Sequence, residues 1–285
     1  MSDAPFANVA VLGTGLIGGS FALAVRRVFP HLPLVGWDRR EILQRARERE
    51  AITHSAASLL DAVRSADLIY VAMPIGATLD LLPELARHAP AGALVTDASS
   101  TKSAVYRAAA QHFHHGSIFI GGHPLAGREL GGIDHADAAL FHGAKYALVG
   151  DSQSLAAARL ESLVRAIGAE PAWIDAETHD WAVGIVSHLP QLAAVALANI
   201  VHDETDETGL PLSLAGTGLR DALRLAGSPY EIWRDVCLTN RDNLARSLDR
   251  LVQALEHLRA TLTSRDLEPQ FAVANQVYKS LREVD

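Results

Sequence analysis

The chain has 285 residues, 49% hydrophobic and 20% charged, which is material for one large or two ordinary domains and far from a disordered composition. Its 33 acidic and 25 basic residues leave a net charge of −8, which argues against nucleic acid as a partner, since that binding rests on basic contacts to phosphate. The single cysteine, Cys237, excludes an intramolecular disulfide and a thiolate metal cluster.

The N-terminus has no basic segment ahead of a long apolar one, so no secretory signal is expected. No apolar run reads as an uncharged stretch of about 18 residues, so no membrane span is expected either. These readings together predict a soluble, cytoplasmic protein. Through the first half, short apolar runs alternate with helical stretches. Residues 8–13, 33–38, 68–74, 93–98, 117–122 and 145–150 read as strands. Amphipathic segments such as 41–50 and 80–89 lie between the earlier ones. Near-continuous apolar strands separated by helices predict a mostly parallel, doubly wound sheet covered on both faces. A last strand at 170–175 is followed by helix after helix, with leucines at helical spacing in 244–262. The expected organisation is an α/β domain over residues 1–175 and an all-α domain over residues 176–285. The histidines at 112, 114 and 115 have no carboxylate or cysteine spaced with them, so they read as a solvated helix end and no metal is expected.

The stretch "VAVLGTGLIGGS" places Gly13, Gly15 and Gly18 after the first strand and at the start of a helix. In this context Gly13 permits the tight turn, Gly15 lets backbone approach a diphosphate, and Gly18 allows close helix–strand packing. The N–H groups of the helix start, at Leu16 and Ile17, favour an anion. Asp38 ends the second strand, 20 residues past Gly18, where a carboxylate accepts from a ribose diol. The pattern predicts a Rossmann-type dinucleotide-binding domain. Asp38 favours NAD; Arg39 and Arg40 follow at once, so NADP stays open.

Polar groups cluster where later strands end. Met73 and Pro74 fit a nicotinamide wall. Ser99, Ser100, Thr101 and Lys102 bring hydroxyls and a cation to the same crevice, or cap the helix starting near Ser103. In "SIFIGGHPLAG", His123 stands at an expected strand end between Gly122 and Pro124, and its ordinary pKa near 6.5 suits a proton acceptor. In the helical half, Arg220 and Arg224 are spaced to share one helix face. They read either as a solvated pair around Asp221 or as a clamp for a carboxylate. His188 precedes Pro190 in an apolar helical stretch, where a kink is expected; such a histidine alone is more often a satisfied core residue.

Taken in order, "VLGTGLIGGS", "TDASSTK", "GGHPLAGRE", "VSHLPQLAAVALA" and "LRDALRLAGSPYEIWRD" resemble the prephenate/arogenate dehydrogenase family of tyrosine biosynthesis. The resemblance spans residues 8 to 260. It implies oxidative decarboxylation of a cyclohexadienol with NAD(P), and a homodimer formed through the C-terminal helices. By the same resemblance His123 matches the catalytic histidine and Ser100 a serine that bonds the same substrate hydroxyl. Gly121 and Gly122 match the backbone that approaches the cofactor. Arg224 matches the arginine for the ring carboxylate, Arg220 a second basic group, His188 a pocket histidine, Trp233 an aromatic near the side-chain end, and Glu129 an acid at the pocket mouth. The alternatives are another two-domain dehydrogenase, of the β-hydroxyacid or imine type, or a non-catalytic dinucleotide sensor.

Overall fold

The computed structural model describes residues 4–113, 116–128, 130–263 and 267–282. Glu129, His114 and His115 lie outside the described residues. The chain divides into two units, Met1–Arg241 and Asp242–Asp285.

The first unit is built on one eight-stranded sheet. Its strands are β1 (Val9–Leu12), β2 (Leu34–Trp37), β3 (His54–Ser55), β4 (Leu68–Val71), β5 (Leu94–Asp97), β6 (Ile118–Pro124), β7 (Lys145–Val149) and β8 (Glu170–Trp173). They lie in the order β3-β2-β1-β4-β5-β6-β7-β8. All neighbours are parallel except β6 and β7. The helices among them are α1 (Leu16–Val28), α2 (Arg40–Glu48), α3 (Leu59–Val63), α4 (Ile75–His88), α5 (Ser103–His112) and α6 (Leu155–Ala166). Strand β1 explains the unbroken apolar runs. Val9 and Val11 pack with Phe21, Val25 and Leu160 on one face, while Ala10 and Leu12 pack with Leu59, Val63 and Leu85 on the other. A two-residue period buried on both sides leaves no polar position.

Two features depart from expectation. Strand β3, only two exposed residues at the sheet edge, has no apolar signature to find. Strand β6 does not stop at Gly122; it runs on through His123 and Pro124 by changing partners. Residues 118–120 pair in parallel with β5, and residues 121–124 pair antiparallel with β7. Pro124 is tolerated because β5 no longer flanks the strand there, so its missing N–H costs no second ladder bond.

From Ala176 the chain is helical: α7 (Ala176–Val183), a wider π-turn (Gly184–His188), α8 (Leu189–Asp203), α9 (Thr217–Leu223) and α10 (Tyr230–Thr239). The π-turn sits directly before Pro190, which cannot donate into the regular ladder; the helix opens there as the sequence suggested. Ala176–Asp203 is long and apolar enough to cross a membrane by length and composition, and residues 181–201 contain no Asp, Glu, Lys or Arg. This corrects the expectation that no such run exists. Within the run His188 and Gln191 are 2% and 3% exposed and hydrogen-bonded within this unit, while Val186 and Ile200 are more than half exposed. The second unit contains α11 (Arg241–Thr261) and α12 (Glu268–Arg282), with Leu255, Phe271 and Val277 more than half exposed.

Candidate active site

Because β1, β4, β5 and β6 run parallel, the corners after them lie along one edge of the sheet. That edge is where doubly wound folds bind ligands. The glycine loop after β1 is shaped by packing. Gly13 has φ +86, and a Cβ there would lie 2.4 Å from the Ala72 carbonyl oxygen and 2.9 Å from Met73 Cγ. A Cβ on Gly18 would lie 1.9 Å from the Gly13 carbonyl oxygen. A Cβ on Gly15, by contrast, would meet nothing within 4 Å, and no side chain caps α1. The open glycine and uncapped helix start fit an incoming diphosphate.

Asp38, directly after β2, braces the glycine loop. Its Oδ2 accepts from Thr14 N at 2.7 Å and its Oδ1 from Arg39 N at 2.7 Å. The Arg39 and Arg40 side chains are exposed. At the next corners Met73 is half-buried beside the loop, and Pro74 opens α4. Ser99 is buried, and its hydroxyl has no hydrogen-bond partner. A buried, orphaned hydroxyl at this edge fits a group supplied by a bound cofactor.

Lys102 is not a crevice cation. Its side chain is fully buried, with Nζ 2.5 Å from Asp97 Oδ2 and 2.6 Å from the Gly122 carbonyl oxygen. Asp97 Oδ1 in turn accepts from Gly122 N at 3.0 Å. Burial pulls the Lys102 ammonium down, against the pull of Asp97. This cluster also explains the glycine pair. A Cβ on Gly122 would lie 2.6 Å from the Asp97 carbonyl oxygen, and one on Gly121 3.5 Å from Lys102 Cδ. The glycines therefore let β6 close over β5 and Lys102.

The Asp97–Lys102 pair thus fixes the backbone that carries His123. The His123 ring continues a chain of hydrogen bonds: its Nδ1 is 2.9 Å from His179 Nε2, and His179 Nδ1 is 2.8 Å from Asp180 Oδ1. Burial, aided by the neighbouring His179, Lys102 and His188 side chains, holds the His123 ring well below its ordinary pKa. It is therefore neutral at physiological pH and free to accept a proton. Ser100, in the corner after β5, is half-buried, with no side-chain hydrogen bond to His123. Serines do not cap α5. Asp180 does so from the helical half, accepting from Lys102 N at 2.7 Å and Ser103 N at 2.9 Å.

His188 is a satisfied core histidine. Its Nδ1 is 3.1 Å from Asn240 Nδ2, and its ring meets Trp233 edge-on at 5.7 Å. Burial pushes its pKa down to about 4. The unfolded chain, with imidazole near 6.5, then binds this proton more readily than the folded one. Stability is complete above pH 6.5 and falls as pH drops toward 4, by on the order of 3 kcal/mol for this group. Thermal melts across that window are expected to show the loss, and His188→Asn to flatten it; an unchanged slope would contradict the assignment.

Arg220 and Arg224 are both exposed. They do not share one regular helix, because α9 ends at Leu223 and Arg224 opens a tighter turn. Sequence reading missed His179, Asp180 and Asn240, which the tertiary structure brings to the edge from distant helices. The adjacent pair "HD" was the only local signal.

The family model for the prephenate dehydrogenase nucleotide-binding domain matches residues 21–172, and that for the prephenate dehydrogenase dimerization domain matches residues 175–276. A prephenate dehydrogenase from Lactococcus lactis is 35% identical over 91% of this chain and 72% of its own length. The crystal structure of prephenate dehydrogenase from A. aeolicus, in complex with hydroxyphenyl propionate and NAD+, superposes with a TM-score of 0.88 at 25% identity, covering 100% of this chain and 99% of that one. Synechocystis arogenate dehydrogenase gives a TM-score of 0.79 at 31% identity, over 97% and 99% of the two chains. With both family models matching in sequence, and a glycine loop and a neutral histidine set on one sheet edge, the chain belongs to the prephenate dehydrogenase family of oxidoreductases.

Proposed function

We propose that the protein catalyses NAD-dependent oxidative decarboxylation of prephenate to 4-hydroxyphenylpyruvate in tyrosine biosynthesis, arogenate being oxidised to tyrosine by the same ring chemistry. The observation that carries this reading is His123, a neutral imidazole at the carboxyl end of β6 whose Nε2 makes no hydrogen bond among the described residues. When bound, oxidised nicotinamide supplies the hydride acceptor. Gly13, Gly15, Gly18 and the first turn of α1 would hold its diphosphate, Asp38 its ribose, and Met73, Pro74 and Ser99 the ring end.

The chain's own residues handle the proton and the charge. His123 takes the hydroxyl proton as hydride leaves the same carbon; CO2 departs from the opposite ring carbon and the ring becomes aromatic. Ser100 bonds the same hydroxyl. Arg224 and Arg220 bind anionic groups of the substrate, with Trp233 and His188 behind its side chain. Arg224 must not over-stabilise a carboxylate that has to lose its charge. Arg224→Ala is therefore expected to raise KM for prephenate more than it lowers kcat, and a collapse of kcat at unchanged KM would contradict this role.

We also place the functional boundary at residue 175, supported by the two adjoining family matches, and propose a cytoplasmic homodimer formed through the C-terminal helices. The dimerization-domain match and the exposed apolar side chains of α8 and α12, Ile200 and Phe271 among them, support the dimer. The test of the reaction is NADH or NADPH formation at 340 nm, offering prephenate and arogenate against NAD+ and NADP+ separately. Turnover of prephenate with NAD+ is expected; no reduced cofactor in any of the four mixtures, with NAD+ still bound, would sink the reading.

A further inference from the structure

We propose that His179 and Asp180 are positioning residues: through their hydrogen bonds they hold His123 in the tautomer protonated on Nδ1, so that Nε2 is the nitrogen that takes the substrate proton. This rests on the reaction proposed above. The argument starts at the far end of the chain of bonds. Three donors converge on the Asp180 carboxylate: Lys102 N and Ser103 N from the start of α5, and His179 Nδ1. Burial raises the Asp180 carboxyl, but the bonds from His179 and the two amides outweigh it and leave the pKa below its ordinary value. An ionised carboxylate can only accept, so His179 must carry its proton on Nδ1.

In a neutral ring that leaves His179 Nε2 as an acceptor. Its partner at 2.9 Å, His123 Nδ1, must then donate. The other tautomer of His123 would set two lone pairs against each other at that distance. His179 and Asp180 are each 2% exposed, which leaves little room for water to relieve such a clash. The hydrogen bond on one imidazole nitrogen thus decides the state of the other. The arrangement also needs no rearrangement when the proton arrives: with both nitrogens protonated, Nδ1–H still donates to His179. The titratable or charged groups facing His123 are His179 from α7, Lys102 from the start of α5 and His188 from the π-turn. Lys102 is already paired with Asp97.

The test uses the full chain with 15N-labelled histidine, nitrogen–proton correlation spectra at pH 8, and His123 assigned through His123→Asn. The wild-type protein is expected to show His123 protonated on Nδ1. In His179→Phe that preference is expected to disappear, with kcat for prephenate falling about 10–100-fold, the scale on which groups orienting a metal-bound histidine act, at unchanged KM. His179→Gln, whose amide oxygen can accept the Nδ1–H, is expected to retain more of kcat. Thermal melts and NAD+ titration check that the variants fold. A wild-type ring protonated on Nε2 overturns the proposal, even if His179→Phe fails to fold; so does a folded His179→Phe with wild-type kcat. Wild-type protein that shows the Nδ1–H ring yet does not turn over prephenate counts against the reaction, not against the tautomer.

Discussion

His123→Ala is expected to lower kcat for prephenate by about 10²–10⁴-fold, the usual contribution of a positioned general base, while NAD+ affinity stays at the wild-type value. That range corresponds to roughly 3–5 kcal/mol of transition-state stabilisation. The ring lies at the end of β6 and the glycine loop follows β1, on different strands of the sheet, so removing one leaves the other intact. His123→Asn sharpens the test. Its amide can still meet His179, but it cannot take a proton, so it should fall as far as the alanine variant. Steady-state kinetics with a separate NAD+ titration would decide. Retained kcat with weakened NAD+ binding would move His123 from the chemistry to the cofactor site.

The same ring sets the pH dependence. A base must be unprotonated to work, so the rate falls as pH drops through its pKa. Burial and the neighbouring basic side chains hold that pKa well below 6.5, so the acid limb of kcat/KM should lie below pH 6.5.

The second large effect is structural. Lys102→Met is expected to destabilise the protein by about 3–5 kcal/mol, because removing one partner of a buried ion pair strands the other charge. Both side chains of the Asp97–Lys102 pair are fully buried, and Lys102 Nζ also holds the Gly122 carbonyl at 2.6 Å. The substitution therefore leaves an uncompensated carboxylate and an orphaned carbonyl one residue before the base. The melting temperature should fall by about 6–20 °C. Adding Asp97→Asn to the Met variant should recover part of the loss, since the two sites share one interaction. A single Met variant as stable as wild type would mean that the pair contributes nothing.

Much of this molecule is legible in the chain because the relevant signals are local. A strand, three glycines and a helix start must be contiguous to make a diphosphate cradle, so "VLGTGLIGGS" and Asp38 could be read directly. The apolar strands are visible for a related reason: with both faces covered, every position is apolar. Strand β3 stayed hidden because two exposed residues at an edge bury nothing. The end of β6 was misread because proline suggests termination, and only the change of partner from β5 to β7 permits it to continue.

The site divides along the same line. By itself the sequence determined the α/β fold, the glycine loop and the candidate base, since each depends on residue type within a few positions. The tertiary structure alone decided how that base is held. Lys102, which reads as a cation beside the crevice, became an internal anchor because β5 and β6 close over it. His179 and Asp180, more than 50 residues beyond His123 in the chain, reach its ring only when α7 packs on the start of α5. Hydrogen bonds act over about 3 Å of space irrespective of separation along the chain, so no local pattern could have announced them.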